Sequence, residues 1–165
     1  MRAISTDAET EAAVAAWLAD SLNRPGNARQ QWTDGHVALL ALGRRFSAVR
    51  LADDLVYAVA AGAEPATAST VLRLLRGPVI HDPRNHRFYA LVPSSPPGPG
   101  LGRYATHLGL GHYIGVPKVG DNEPTGTLAS YWAVPATAPG ALCDPIRLRD
   151  MIEMGTAALD RQAAS

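Results

Sequence analysis

Cysteine is almost missing from this chain: Cys143 is the single thiol among 165 residues. One thiol cannot close an internal disulfide or supply a Cys-based zinc site, so a reducing cytoplasm is the expected compartment. Lysine is equally scarce. Lys118 stands alone and every other basic residue is Arg, which alongside abundant Ala reads as GC-rich coding rather than selection for Arg. Net charge is absent too, since 15 basic and 15 acidic residues cancel. A neutral chain has no global field to gather nucleic acid, so phosphate binding would need a local patch. No apolar run approaches the roughly 18 residues of a membrane span. The N-terminus lacks the charged-then-apolar profile of a signal peptide. A soluble cytoplasmic protein with no membrane partner is expected.

Chemistry-bearing motifs are also sparse. Two-metal phosphoryl transfer needs carboxylates that converge, commonly at i and i+2 of one strand. No D-x-D, D-x-E or E-x-D falls on any expected strand. There is no G-x-S-x-G, and Ser94-Ser95 lies in a Pro-rich loop without an evident base. Cys143 precedes Asp144-Pro145 at a helix start, where a dipole lowers a thiol pKa. With no orienting pair in view, a buried thiol is the favoured reading.

What is present is enough for a core. The apolar fraction is 47%, and a chain of this length buries roughly two-thirds of its unfolded surface. A single domain over 1–165 is expected, with frayed termini at 1–5 and 161–165. Thr6 and Glu9 form a T-x-x-E capping box before a helix carrying Val14, Trp17, Leu18 and Leu22, which Pro25 ends. Residues 27–35 read as polar loop with Trp32 as an anchor. Strands are expected over 36–42 and 46–51, joined by Gly43-Arg44-Arg45 as a hairpin. Asp53 or Asp54 then opens a helix to Ala61, and another runs over 66–76.

The second half reads as sheet. Strands at 79–81 and 87–92 flank the turn residues Asp82-Pro83-Arg84-Asn85. Residues 93–102 form a Pro/Gly/Ser loop, and 104–110 one helical turn. Strands at 113–116 and 130–134 enclose a polar loop over 120–126, and a helix over 145–159 closes the chain.

Several groups invite a functional reading, each beside a plainer one. His81-Asp82 at a strand end suits a metal or an acid/base pair, while Asp82 before Pro83 is equally an Asx-turn start. His81 and His86 stand five apart, as do His107 and His112, half of a zinc-finger pattern without its Cys pair. Asp53-Asp54 reads as a cap with a first-turn acid. Arg44 and Arg45 at a turn could grip phosphate, with Arg84 and Arg87 expected nearby, or could form a solvated tip. Lys118 is a lone phosphate contact or simple surface. Tyr113, Tyr131 and Trp132 either pack or form a base-stacking platform.

The segments Gly-His-Tyr-Ile-Gly-Val-Pro-Lys and Tyr-Trp-Ala-Val-Pro resemble the late strands of the bifunctional primase/polymerase (prim-pol) N-terminal domain. Residues 79–92 would match its central hairpin. The whole chain looks like small actinobacterial proteins with Gly-Arg-Arg-Phe, Gly-Pro-Val-Ile-x-Asp and Tyr-Ala-Leu-Val-Pro segments. That family carries a metal-binding Asp-x-Asp where this chain has residues 46–51. Here Arg50 takes the acid's place, flanked on its face by Ala48 and Ala52. The resemblance therefore implies the scaffold without the metal centre, and no catalytic residue carries over.

The expected architecture is α/β (α+β), a mixed or antiparallel sheet flanked by helices. The expected role is a catalytically inactive binding or regulatory protein, without cofactor. Its ligand would be a nucleotide, DNA or other nucleic acid, or a partner protein, met by Arg44, Arg45, His81, His86, Arg87 and Lys118. Two alternatives stand beside it. One is a Mg- or Mn-dependent transferase or hydrolase using His81, Asp82 and His86. The other is a protein interaction module.

Overall fold

The structure, a computed structural model, describes residues 2–94 and 100–165. Among the described residues, five α-helices and two antiparallel sheets make an α+β fold. The larger sheet has the order β5-β2-β4-β3-β7, built from β5 (Ala105–Leu108), β2 (Ser47–Ala52), β4 (Arg87–Val92), β3 (Val79–Asp82) and β7 (Tyr131–Val134). The smaller pairs β1 (Val37–Ala41) with β6 (Tyr113–Pro117).

Strand alternation assigns each face of the larger sheet its own core. Val49, Leu51, Val79, Phe88, Ala90 and Tyr131 point to one side. There they meet α3 (Asp53–Ala60), α4 (Pro65–Leu72) and α5 (Pro145–Ala164) through Leu55, Leu72, Leu148 and Ile152. Ala48, Ile80, Leu91 and Trp132 point to the other. That side is closed by α1 (Arg2–Ala19), α2 (Pro25–Asp34) and the inner face of the small sheet.

Two close approaches hold the helical layer. A Cβ on Gly155 would lie 2.9 Å from the Leu55 carbonyl oxygen, so α5 crosses α3 almost backbone to backbone. A Cβ on Gly77 would lie 2.1 Å from the Cys143 nitrogen, which donates to the Leu91 carbonyl at 2.8 Å. The segment before α5 is thereby stitched to β4.

Several expectations change. Pro25 begins a helix at its first position instead of ending one, because a missing N–H costs nothing there. Residues 27–35 are thus largely helical, and Trp32 is a buried anchor whose indole donates to the Val116 carbonyl at 2.9 Å. Thr6 and Glu9 lie inside α1, which starts at Arg2, so they do not mark its beginning. Gly43-Arg44-Arg45 does not close a hairpin: β1 pairs with β6, while β2 pairs with β4 and β5. Residues 105–108 are a strand rather than a helical turn. Helix α5 continues to Ala164, beyond its expected end at residue 159. Part of the expected loop over 93–102 lies outside the described residues. The hairpin over 79–92, helix α3, and the strands at 113 and 131 stand where the sequence placed them.

No single helix is long and apolar enough to cross a membrane among the described residues.

Candidate functional site: a closed Asp–His–Tyr network

The site grows from the end of the large sheet where β2 runs into α3. Ala52 is the N-cap of that helix and offers no side-chain bond, so Asp53 is a first-turn acid rather than a cap. Its backbone N–H donates to the His86 carbonyl at 3.1 Å, joining the helix start to the turn after β3. Its carboxylate points into the layer between helix and sheet, and the residue is only 7% exposed.

His81 reaches the same layer from β3. Its ring stacks on Phe88 at 4.0 Å with 6° between planes, and Tyr131 closes it edge-on at 5.3 Å. The Tyr131 hydroxyl lies 2.8 Å from Nδ1, and Nε2 hydrogen-bonds Asp53 Oδ2 at 3.5 Å with Oδ1 3.4 Å away. The tautomer that satisfies both ring nitrogens has the phenol donating to Nδ1 and Nε2–H directed at Asp53. Tyr57, one turn along α3, donates to Asp53 Oδ2 at 3.4 Å. His86 brings Nδ1 to 3.8 Å from that oxygen while its side chain stays 83% exposed.

Electrostatics keep the phenols neutral. Burial first, and the Asp53 charge second, push Tyr57 and Tyr131 up to about 12. Both remain hydrogen-bond donors over the ordinary pH range. Asp53 Oδ1 is the odd atom. It is buried and has no hydrogen bond of good geometry, despite its 3.4 Å approach to His81.

The expected site residues are distributed rather than gathered. His81 and His86 do meet, but through Asp53. Asp82 points to the opposite sheet face, accepting from the Asn85 side chain at 2.9 Å and from its N–H at 3.4 Å, as an Asx turn requires. The His81/Asp82/His86 cluster is therefore corrected to Asp53/His81/His86. Arg87 pairs in register with Ala52, whereas Arg44 and Arg45 precede Ser47, which pairs with Val92. Five residue steps separate the two ends, about 17 Å at roughly 3.4 Å each. The expected Arg patch is split.

Arg44 is bonded to the Asn23 side chain, and Arg84 donates to the Thr127 carbonyl at 2.9 Å. Arg45 is exposed. Lys118 is exposed at the end of β6, its N–H bonded to the His36 carbonyl at 2.9 Å. Tyr131 and Trp132 are buried, so the three aromatics form no stacking platform. Cys143 is buried, and desolvation pushes its thiol up to about 12, the opposite of activation.

Two open hollows of about 580 Å³ each flank this region. One is lined by His36, Asp121, Glu123 and Tyr131 and the other by Asp54, Tyr57 and Leu159. None of the expected basic residues lines either, and their acids would repel a phosphate. Among the described residues, no three His, Cys, Asp or Glu side chains form a group that could hold a metal ion.

Sequence reasoning missed Asp53 and Tyr131 as partners of His81. They lie 28 and 50 residues away, and no local pattern records such a contact.

The fold and site define an α+β domain with a closed Asp–His–Tyr network between sheet and helix. Comparison with family models, curated proteins and solved structures gives no match.

Proposed function

We propose that this chain is a non-catalytic binding or regulatory protein whose ligand is a partner protein, on a scaffold similar to the prim-pol N-terminal domain. The observation that carries this reading is the burial of His81. At 5% exposure, under Phe88 and Tyr131, its imidazole cannot reach a substrate without opening the core. General acid–base work requires the catalytic group within hydrogen-bond reach of the reacting atom.

The outer face of the small sheet supports the partner class. Val37, Leu39 and Tyr113 point outward there at 38%, 53% and 57% exposure, and neither strand carries a charge. Contiguous exposed apolar surface marks interaction sites. A second reading, nucleic acid, is favoured by Arg84, His86 and Arg87 sharing one end of the sheet.

The test compares the protein with His81→Gln in nucleotide hydrolysis and primer-extension assays with Mg²⁺ or Mn²⁺. Equal background in both is expected. Turnover that His81→Gln removes would overturn the non-catalytic reading. Salt-sensitive DNA binding lost in an Arg84→Ala/Arg87→Ala double variant would move the ligand to nucleic acid.

A further inference from the structure

We propose that Arg50 and Arg87, with the hydroxyls of Tyr89 and Thr106, form a binding site for a phosphate group on the open half of the larger sheet. The site shares no residue with the apolar stripe of the small sheet, so it stands or falls apart from the partner-protein reading.

Register places the four together. Arg50 pairs with Tyr89 on one side and Thr106 on the other, and Arg87 pairs with Ala52, two residues further along β2. Directly paired residues, and those two apart on one strand, share a face, so all four side chains leave the sheet on one side. That side is the one closed by α1, α2 and the small sheet. The cover packs on Ala48, Leu91 and Leu108, the neighbouring row on the same three strands. Beyond that row, Arg50, Tyr89 and Arg87 are half-buried and Thr106 is exposed.

Charge is unbalanced on this open half. Strands β2, β4 and β5 carry the two arginines and no carboxylate. Diagonal neighbours on paired strands lie about 7–8 Å apart, within reach of long side chains, so the two guanidiniums share one region. Among the described residues, neither makes an ion pair or a side-chain hydrogen bond. Asp82 pairs in register with Arg87, but its oxygens accept from Asn85, at 3.4 Å from the N–H and 2.9 Å from the side chain.

Two half-buried like charges repel, and an anion between them removes that cost. Each guanidinium presents a planar fork of donors that matches phosphate oxygens. A phosphate group has three acceptor oxygens and serves both forks, whereas a carboxylate's two are filled by one. The Tyr89 and Thr106 hydroxyls add donors on either side of Arg50.

The test titrates pyrophosphate into the full chain at low salt, followed by calorimetry and thermal melting. One saturable site and a raised Tm are expected. Arg50→Gln and Arg87→Gln are each expected to weaken binding roughly tenfold or more, while Arg45→Gln, beyond the other end of β2, leaves it unchanged. Neither arginine has a partner to lose, so urea midpoints should hold, which separates lost binding from lost folding. A short oligothymidylate is the second arm. Binding tighter than that of pyrophosphate, and lost in the same variants, assigns the phosphate to nucleic acid; equal or weaker binding assigns it to a small molecule. Absence of saturable binding in both arms, or its retention in both Gln variants, overturns the proposal, as does capture of a hexaglutamate peptide in place of either probe.

Discussion

Tyr131 matters through one oxygen. Replacing it with Phe keeps the ring against His81 but strips Nδ1 of its partner at 2.8 Å, in a site where both residues are below 6% exposure. A loss of about 1–3 kcal/mol is expected, read as a lower urea midpoint with unchanged slope. Alkaline pH tests the same pair of phenols. Tyr57 and Tyr131 are pushed from 10.0 up to about 12 by burial and by Asp53. A group whose folded value lies above its unfolded one contributes stability that is complete below the unfolded value. Stability is therefore expected to hold to about pH 10 and to fall as pH rises from 10 towards 12, less steeply in Tyr131→Phe. Cys143 titrates in the same alkaline region, its thiol pushed from 9.0 up to about 12. At pH 8 it should resist a disulfide reagent in native buffer and react at once in denaturant, whereas rapid native labelling would mean the α5 approach opens freely.

At the scale of elements, Gly155 inverts the usual helix rule. Ala for Gly in a helix interior ordinarily stabilises by about 0.5–1 kcal/mol. Here the added Cβ would meet Leu55 Cγ at 2.7 Å and its carbonyl oxygen at 2.9 Å, so α3 or α5 must shift. Gly155→Ala is expected to destabilise by about 1–3 kcal/mol in urea unfolding, and a gain in stability would mean the two helices separate easily. The elements also differ in how far they were legible. The hairpin over 79–92 could be read because its turn is local: Asp82, Pro83 and Asn85 enforce it within four residues. Helix α2 could not, because Pro25 serves equally as a stop or a first helical residue, and its buried face holds only Ala28 and Trp32. Strands β1 and β2 were visible as strands but not as non-partners. Their pairing depends on β6, β4 and β5, far along the chain. For the site the limit is the same: turn chemistry revealed His81 and His86, but Asp53 resembled a cap, and only the packing of α3 on the sheet turns its carboxylate to His81.

For the whole molecule, the question is whether the outward face of the small sheet belongs to folding or to contact. Its strands are fastened independently of that face. The Leu39 N–H donates to the Gln31 side chain at 2.9 Å, and Trp32 and Trp132 donate to the Val116 and Pro117 carbonyls at 2.9 and 3.2 Å. The inner residues Ala38, Leu40, Ile114 and Val116 do the packing. Leu39, at 53% exposure, should therefore contribute little to stability. Leu39→Asp is expected to move the unfolding free energy by no more than about 0.5 kcal/mol, the range of surface substitutions. The same change places a charge in the centre of an uncharged apolar stripe, so weak attraction between molecules should fall, seen as a more positive second virial coefficient in light scattering. A cost of several kcal/mol would show that the stripe is part of the core. Unchanged solution behaviour would remove the reason for assigning the face to a partner.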